Sequence, residues 1–345
     1  MDGSMRISRR VLISGGRAQY FHVVSRVVDR RYIFTEREKE VFLRMMRKQE
    51  AFSGVEVVSY SIMSNHFHIL LHVPLRPETM SKEETWRRMA HIYSEEKLEE
   101  MRWMIEDHAR ACEGERENSY EREFLEGIQE RMYDLSHFVR ELKLKFSKWY
   151  NRENNRKGTL WEERFKSVLV EGNENCLIRC ASYIEMNAVR AGIVSNPEKY
   201  TWCSFGAACL GDRQARTGLE GAINIHDKTP WDWARVKRKF EEIFEISLKI
   251  NDESTEGTHQ IERSKRQRSR TTQKTSGGER LRLVERIRHF TEGVVIGSRE
   301  FINGFYFRNK DKISPNRERK KISYNMERSG DTEIYSYRNV RKPTS

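Results

Sequence analysis

The chain has 345 residues, of which 37% are hydrophobic and 34% are charged, and its formal net charge is +12. This length allows one large domain or two ordinary ones, and the high charge indicates a large solvated surface with charged linkers or tails. No apolar run reaches the roughly 20 residues that cross a bilayer, and a signal-peptide pattern is absent. We therefore expect a cytoplasmic protein with no membrane partner, and the positive charge favours a polyanionic partner.

Strand signals and helix signals alternate through the first 190 residues. Segments rich in β-branched and aromatic residues are followed by segments with apolar residues at helical spacing. A stretch of about 78–130 is dense in glutamate, arginine and methionine, which indicates a helical insertion. The predicted elements in chain order are a strand over 19–25, a helix over 35–52, strands over 55–63 and 67–73, a helix over 134–150, a strand over 165–170 and a helix over 173–190.

This order of elements predicts an α+β fold. It suits a ferredoxin-like antiparallel sheet with helices on one face. The signals weaken beyond residue 211, where polar and charged residues predominate. The predicted parts of the chain are a main domain over 1–210 that contains the helical insertion, a helical extension over 211–250, a basic linker over 251–278, a small helical C-terminal module over 279–308 and a basic, disordered tail over 309–345.

Two histidines provide the first chemical signal. His66 and His68 are separated by one residue in a predicted strand, so both imidazoles point to one face while Phe67 points to the other. Two neutral imidazoles can hold a divalent cation and leave positions for a phosphate oxygen and water. An incidental His-x-His pair is the alternative for this motif alone. His72 shares the face, but it lies about 13 Å along the strand, and we expect it to be structural.

A tyrosine and an asparagine provide the second signal. Tyr183 and Asn187 are four residues apart in a predicted helix, so their side chains share one face. A tyrosine hydroxyl, with an ordinary pKa of about 10, needs a nearby cation to act as a nucleophile, and a metal-polarised phosphate is a matching electrophile. A half-buried core tyrosine is the alternative for this pair alone.

Three ordered blocks resemble the REP-associated tyrosine transposases, which belong to the HUH single-tyrosine transposases. The blocks are MSNHFHILL at 63–71, GTLWEERFKS at 158–167 and YIEMNAVRAGIV at 183–194. The resemblance extends over roughly 17–210. Ser64 and Ala188 stand where the family often has proline; neither change removes a chemical group, and Ala188 allows the helix to continue past Asn187.

The resemblance implies both an activity and its residues. It implies that 1–210 is the catalytic domain, that His66, His68 and Asn187 hold Mg²⁺ or Mn²⁺, and that Tyr183 attacks a DNA phosphodiester. The products are a covalent 5′-phosphotyrosine and a 3′-hydroxyl, and rejoining reverses the step. The implied partner is single-stranded DNA with hairpin structure, bound by a monomer or a homodimer.

Basic residues near the predicted nucleophile are candidates for contacts with DNA phosphates. Arg164 and Lys166 flank the start of the last predicted strand, and Arg190 ends the helix that carries Tyr183. The arginine run over 263–270 could grip the stem of a hairpin, with a solvated linker as the alternative. Four aromatic residues could stack on unpaired bases, with core packing as the alternative; they are Tyr20, Trp161, Trp202 and Phe205.

Two other functions compete with a tyrosine transposase. One is a domesticated DNA-binding protein or repressor that keeps the fold and the basic surface without catalysis. The other is a metal-dependent phosphodiesterase that uses activated water, with Tyr183 as a structural residue. The intact set of nucleophile and ligands argues against the repressor, and a phosphotyrosine adduct would distinguish the transposase from the phosphodiesterase, which we rank third.

Overall fold

The computed structural model describes residues 18–111, 117–224, 231–245, 289–309 and 335–338. The predicted linker over 251–278, including its arginine run, lies outside the described residues, as does most of the predicted tail. None of the described helices is long and apolar enough to cross a membrane.

Six strands and twelve α-helices occur in the described residues, in addition to short 3-10 turns. In chain order they are β1 Gln19–Arg26, α1 Glu36–Ser53, β2 Glu56–Ile62, β3 His66–Val73, α2 Lys82–Met89, α3 Glu95–Ala111, α4 Glu117–Gln129, α5 Leu135–Glu153, β4 Lys166–Val170, α6 Glu174–Glu185, α7 Asn187–Arg190, α8 Ser204–Cys209, α9 Arg213–Ile223, α10 over 233–245, α11 His289–Glu292, β5 Gly293–Gly297, α12 Arg299–Arg308 and β6 Tyr335–Arg338.

The six strands form one mixed sheet in the order β2-β3-β1-β4-β5-β6. Strand β1 lies between β3 and β4 and is antiparallel to both, and β2 is antiparallel to β3. The unit β1-α1-β2-β3-α5-β4 therefore has the ferredoxin-like arrangement that the sequence predicts. The α+β fold class is confirmed.

Helices cover both faces of the sheet. On the face of the odd-numbered residues of β1 and β3, Phe42 of α1 and Phe146 of α5 pack with Phe67. On the even-numbered face, α6, α8, α9 and α10 form a second core with Leu70 and Val168. The expectation of helices on one face is therefore wrong. The physical reason is that apolar residues on both faces of these strands need a covering layer on each side.

The C-terminal part contains two strands in addition to helices, and β6, which pairs with β5, lies within the tail predicted to be disordered. Strand β5 pairs in parallel with β4, through Leu169 with Val295 and Val170 with Ile296. The described part of the predicted helical module therefore includes a strand between its two helices, which was not predicted from the sequence. The β-branched run Val294-Val295-Ile296 between two glycines suits a strand, and it covers the edge that β4 would otherwise expose. The division of the chain into domains stays a prediction.

The charged stretch 78–130 includes the three helices α2, α3 and α4. They share a small core of Met89, Leu98 and Ile128, which packs against Phe52 at the end of α1. These contacts attach the three helices to the sheet through α1.

The helix that carries the predicted nucleophile begins at a capping asparagine and ends at an interruption after Glu185. Asn173 begins α6, and its Oδ1 accepts a hydrogen bond from the backbone N–H three residues later at 2.9 Å. Met186, with φ −74° and ψ 0°, separates α6 from α7. The sequence predicts one helix over 173–190; the structure divides it at Met186, and Asn187 begins the second part.

Candidate active site

The two histidines of β3 project from the even face of the sheet. His68 pairs with Val24 of β1 and is 3% exposed, whereas His66 begins the strand and is partly exposed. Their ring centroids are 5.1 Å apart. Both imidazoles therefore reach the same side of the sheet at one end of β3.

Each of these histidines uses its Nδ1 in a hydrogen bond within the protein. His66 Nδ1 lies 2.7 Å from Oδ1 of Asn65, and Asn65 is held because its Nδ2 donates to the carbonyl of Arg30 at 2.9 Å. An amide oxygen only accepts, so the proton of a neutral His66 lies on Nδ1 and the lone pair on Nε2. His68 Nδ1 lies 2.9 Å from Nε2 of His22.

His22 of β1 is a third histidine at the site. It is fully buried, and its Nδ1 donates to the carbonyl of Phe290 at 2.6 Å. Burial lowers the pKa of His22 to about 4. Burial, followed by the charges of His66 and His22, lowers the pKa of His68 well below its ordinary value. Both buried imidazoles are therefore neutral at physiological pH, which is the form that binds metals.

Tyr183 of α6 faces these histidines. It is 2% exposed, and its ring lies edge-on to His22 and His68 at centroid distances of 5.9 and 6.1 Å. Phe290 stacks on the same ring at 4.7 Å. The fold thus brings the predicted nucleophile to the predicted metal ligands within one chain.

Asn187 lies one turn after Tyr183 and is 8% exposed. Its Nδ2 donates to the carbonyls of Tyr183 and Ile184 at 3.3 and 3.0 Å, and its Oδ1 accepts from Nη2 of Arg190 at 2.7 Å. An amide oxygen has two lone pairs. The contact with Arg190 therefore leaves acceptor capacity on Oδ1 for a cation.

Arg190 packs against the tyrosine. Its guanidinium lies 4.0 Å from the centroid of the Tyr183 ring and donates to the Tyr183 carbonyl at 2.9 Å. Burial lowers the pKa of Arg190 to about 10, so the group stays charged at physiological pH. This geometry places the predicted phosphate contact beside the phenol, where a positive charge favours the phenolate form.

A cleft of about 470 Å³ joins these side chains. It opens where the ends of β1 and β3 meet α6, α7 and the segment before β4. The predicted site residues all line it: His66, His68, Arg164, Lys166, Tyr183, Asn187 and Arg190.

Cations outnumber carboxylates along the described part of this cleft. Arg26 and Arg30 add to the three predicted basic residues, while the acidic side is Glu162 and Glu163. Lys166 forms a salt bridge with Glu163 at 3.1 Å, which weakens the electrostatic attraction of Lys166 for an anionic ligand. The excess of positive charge suits a phosphodiester.

Residues 17–108 match the family model of IS200-like transposases. The predicted resemblance to a transposase family is confirmed for this segment. The chain is also similar to a solved structure described as a REP-associated tyrosine transposase bound to a REP hairpin, with 11% sequence identity and a TM-score of 0.33, over 56% of this chain and 81% of that chain. No curated protein matches this chain.

The family match includes only part of the candidate site. It contains β3 with His66 and His68, and it ends before Tyr183 and Asn187. These two residues therefore join the histidines through the three-dimensional structure, in which α6 packs on the even face of the sheet that holds β3.

The four aromatic residues that are predicted to stack on unpaired bases lie away from the cleft. Trp161 and Phe205 belong to the two hydrophobic cores, and Trp202 packs against both of them. Tyr20 stacks on His72 at 4.4 Å. In the described part of the chain, none of these four candidates is among the residues that line the cleft.

The donor atoms at the cleft fit a divalent cation. Among the described residues, no group of three or more histidine, cysteine, aspartate or glutamate side chains could hold a metal ion. The predicted site has two imidazoles and the amide of Asn187, so it is not a group of that kind. The lone pair on Nε2 of His66 and the acceptor capacity of Asn187 suit such a cation.

Proposed function

We propose that this protein is a metal-dependent enzyme that cleaves and rejoins single-stranded DNA through a covalent 5′-phosphotyrosine. The observation that carries the proposal is the meeting of Tyr183 and Asn187 with the two histidines of β3 at one basic cleft. The family match over 17–108 supports the proposal from sequence.

Tyr183 is the proposed nucleophile. Its Oη loses its proton and attacks the phosphorus of a DNA phosphodiester, and the bond between phosphorus and O3′ breaks. O3′ takes up a proton to become a hydroxyl, so the step neither gains nor loses a proton overall. Tyr183 then carries the 5′-phosphate of the downstream strand. Rejoining is the reverse, because a 3′-hydroxyl attacks the phosphotyrosine and the phenolate leaves. The charged Arg190 beside the ring stabilises that phenolate in both directions.

His66, His68 and Asn187 are the proposed ligands of a divalent cation. When bound, Mg²⁺ or Mn²⁺ would polarise a non-bridging phosphate oxygen. Burial lowers the pKa of His68 and keeps its imidazole neutral, and Nδ1 of His66 lies 2.7 Å from Oδ1 of Asn65. Mg²⁺ is a hard cation that strongly prefers oxygen ligands, whereas Mn²⁺ is a transition metal that tolerates imidazole ligands better, so Mn²⁺ is the better probe for this set of donors.

The basic rim is proposed to bind the DNA backbone. Arg26, Arg164 and Lys166 line the cleft around the histidines, so they can contact phosphates on either side of the scissile bond. The sequence blocks that resemble REP-associated transposases lead us to propose single-stranded DNA that folds into a hairpin as the substrate. Binding should weaken steeply as salt rises, since each neutralised phosphate releases counterions.

Covalent capture of DNA tests the proposed function. Purified protein is incubated with Mn²⁺ and a labelled single-stranded hairpin oligonucleotide from the ends of the encoding locus, and adducts are separated on a denaturing gel. The wild type should form an adduct, and Tyr183→Phe should bind the oligonucleotide but form none. Adduct formation by Tyr183→Phe would contradict the role of Tyr183, and cleavage by the wild type without an adduct would favour the phosphodiesterase.

We further propose that Tyr183 acts with the histidines of its own chain. The ring of Tyr183 lies 6.1 Å from that of His68 in the same chain. A mixture of Tyr183→Phe protein and His66→Ala protein should therefore remain inactive in the capture assay. Recovery of the adduct in the mixture would show that two chains combine to form the site.

A further inference from the structure

A buried pair of histidines connects the proposed metal site to the C-terminal part of the chain. The rings of His22 and His68 lie edge to edge and nearly in one plane, with centroids 5.1 Å apart and an interplanar angle of 19°. His22 Nε2 lies 2.9 Å from His68 Nδ1, and His22 Nδ1 lies 2.6 Å from the carbonyl oxygen of Phe290. None of the steps proposed above uses His22.

The positions of the protons follow from the partners of the two rings. A carbonyl oxygen only accepts, so His22 Nδ1 carries a proton. His22 is fully buried, and its two hydrogen-bond partners are a neutral carbonyl and another imidazole, so neither partner compensates a second proton. His22 Nε2 therefore has the lone pair and accepts, and His68 Nδ1 donates to it.

We propose that His22 is a positioning residue that fixes His68 in its Nδ1–H tautomer and thereby directs the Nε2 lone pair of His68 at the cation. This inference rests on the proposed metal site. Which imidazole nitrogen binds a metal is determined by the hydrogen bond of the other nitrogen. Partners of this kind orient a ligand and typically change metal affinity 10–100-fold. The small angle of 19° between the two ring planes also suits a hydrogen bond that lies in the plane of both rings.

The contact of His66 follows the same principle with a different acceptor. Its Nδ1 donates to Oδ1 of Asn65, and the carbonyl of Arg30 fixes that amide. Both proposed histidine ligands are thus held by an acceptor on Nδ1. For His66 the acceptor comes from the neighbouring residue, whereas for His68 it comes from another strand.

Tautomers measured by NMR test the proposal without any metal. In protein labelled with ¹⁵N-histidine, the ring nitrogens of His22 and His68 should both show a protonated Nδ1 and an unprotonated Nε2. His22→Phe removes the acceptor and should move His68 toward the Nε2–H tautomer. An Nε2–H tautomer of His68 in the wild type would overturn the proposal, and this result does not depend on whether any variant folds.

Titration with Mn²⁺ tests the consequence for binding. His22→Phe should weaken Mn²⁺ binding about 10–100-fold, whereas His22→Gln, which can donate to Phe290 and accept from His68, should restore most of the affinity. His72→Phe is the matched control, since His72 lies on the same face and contacts Glu56 instead; its affinity should stay unchanged. Thermal unfolding of each variant reports whether it folds.

The outcomes separate this proposal from the proposed function. If the wild type binds no Mn²⁺ in a manner that depends on His66, the metal site itself fails. If His66→Ala loses Mn²⁺ while a folded His22→Phe binds as tightly as the wild type, the metal site stands and the role of His22 is wrong. Equal weakening of Mn²⁺ binding by His22→Gln and His22→Phe would also overturn the proposed role of His22. That result is expected if the His22 ring acts only by packing and not by its hydrogen bonds.

Discussion

The two faces of the central sheet are formed by the same strands but bury different side chains, aromatic ones on the odd face and hydrogen-bonded histidines on the even face. On the odd face, Phe67 packs against Phe42 and Trp161 with ring centroids 4.8 and 5.6 Å apart. On the even face, the neighbouring residue His68 is as inaccessible as many core residues, yet it lies in a network of hydrogen bonds with His22. Alternation along one strand thus separates a layer that stabilises the fold from a layer that can perform chemistry.

Several polar groups that are buried on the even face have hydrogen-bond partners. A buried polar group without a hydrogen bond lowers the free energy of unfolding. His22, Glu185 and Asn187 each make at least one hydrogen bond. The odd face around Phe67 is mainly apolar, and the indole N–H of Trp161 there donates to Ser147 Oγ at 2.7 Å. Substitutions on the two faces should therefore have separable effects on activity and on stability.

The largest expected effect is on activity and comes from the even face. His66→Ala should lower Mn²⁺-dependent cleavage by about 10³-fold, since a bound cation contributes several kcal/mol to stabilising the transition state. The free energy of unfolding should change by less than about 1 kcal/mol because His66 is partly exposed. Cleavage rates and urea unfolding measure the two effects, and His72→Ala is the control that should retain activity. Loss of stability in proportion to activity would contradict the separation.

The next effect is on stability and comes from the odd face. Phe67→Ala should lower the free energy of unfolding by about 3–5 kcal/mol, because it leaves a cavity between Phe42 and Trp161. Urea denaturation measures the change. Leu144→Ala on the exposed side of α5 is the matched control, and it should change stability by less than about 0.5 kcal/mol. A small effect of Phe67→Ala would show that this face is not the stabilising layer.

A smaller effect is a dependence of stability on pH that comes from Glu185 on the even face. Burial raises the pKa of Glu185 to about 7, and the carboxyl accepts from Ser59 Oγ and from the backbone N–H of Phe205 at 2.7 and 2.8 Å. A carboxyl with a raised folded pKa stabilises the fold below its unfolded pKa, near 4.5. That contribution, about 3 kcal/mol from a shift of this size, is lost as pH rises to about 7.

The variant Glu185→Gln isolates this contribution. The glutamine is neutral at all pH values; its Oε1 can accept from Phe205 N–H while its Nε2 donates to Ser59 Oγ. Wild-type stability should therefore fall relative to the variant between pH 4.5 and 7. Glu242→Gln on the exposed side of α10 is the control and should follow the wild-type curve. Urea unfolding across this pH range measures the difference. Parallel curves for the wild type and Glu185→Gln would show that Glu185 ionises in the folded state as it does in the unfolded one.

The sequence predicts the local elements and the pairs of residues that share a face. Alternation in β1 and β3 and helical spacing in α1 and α5 are visible in the residues, because each pattern depends on neighbours a few positions away. The same is true of His66 with His68 and of Tyr183 with Asn187.

Long-range partners are not visible in the sequence. His22 is an isolated histidine in an apolar strand, and its carbonyl partner at Phe290 is 268 residues away. Strand β5 is five residues long, and its parallel pairing with β4 leaves no local signal. Arg190 ends a helix, which suggests a surface contact, but the break at Met186 and the packing of α7 place it against Tyr183.

Mapping of the covalent adduct tests the central proposal most directly. Wild-type protein is incubated with Mn²⁺ and a single-stranded hairpin oligonucleotide, digested with a protease and a nuclease, and examined by mass spectrometry. We predict a nucleotide joined through its 5′-phosphate to the peptide that contains Tyr183, and no such peptide when a chelator replaces Mn²⁺. A DNA adduct on another residue, or cleaved DNA with Tyr183 unmodified, would contradict the proposal.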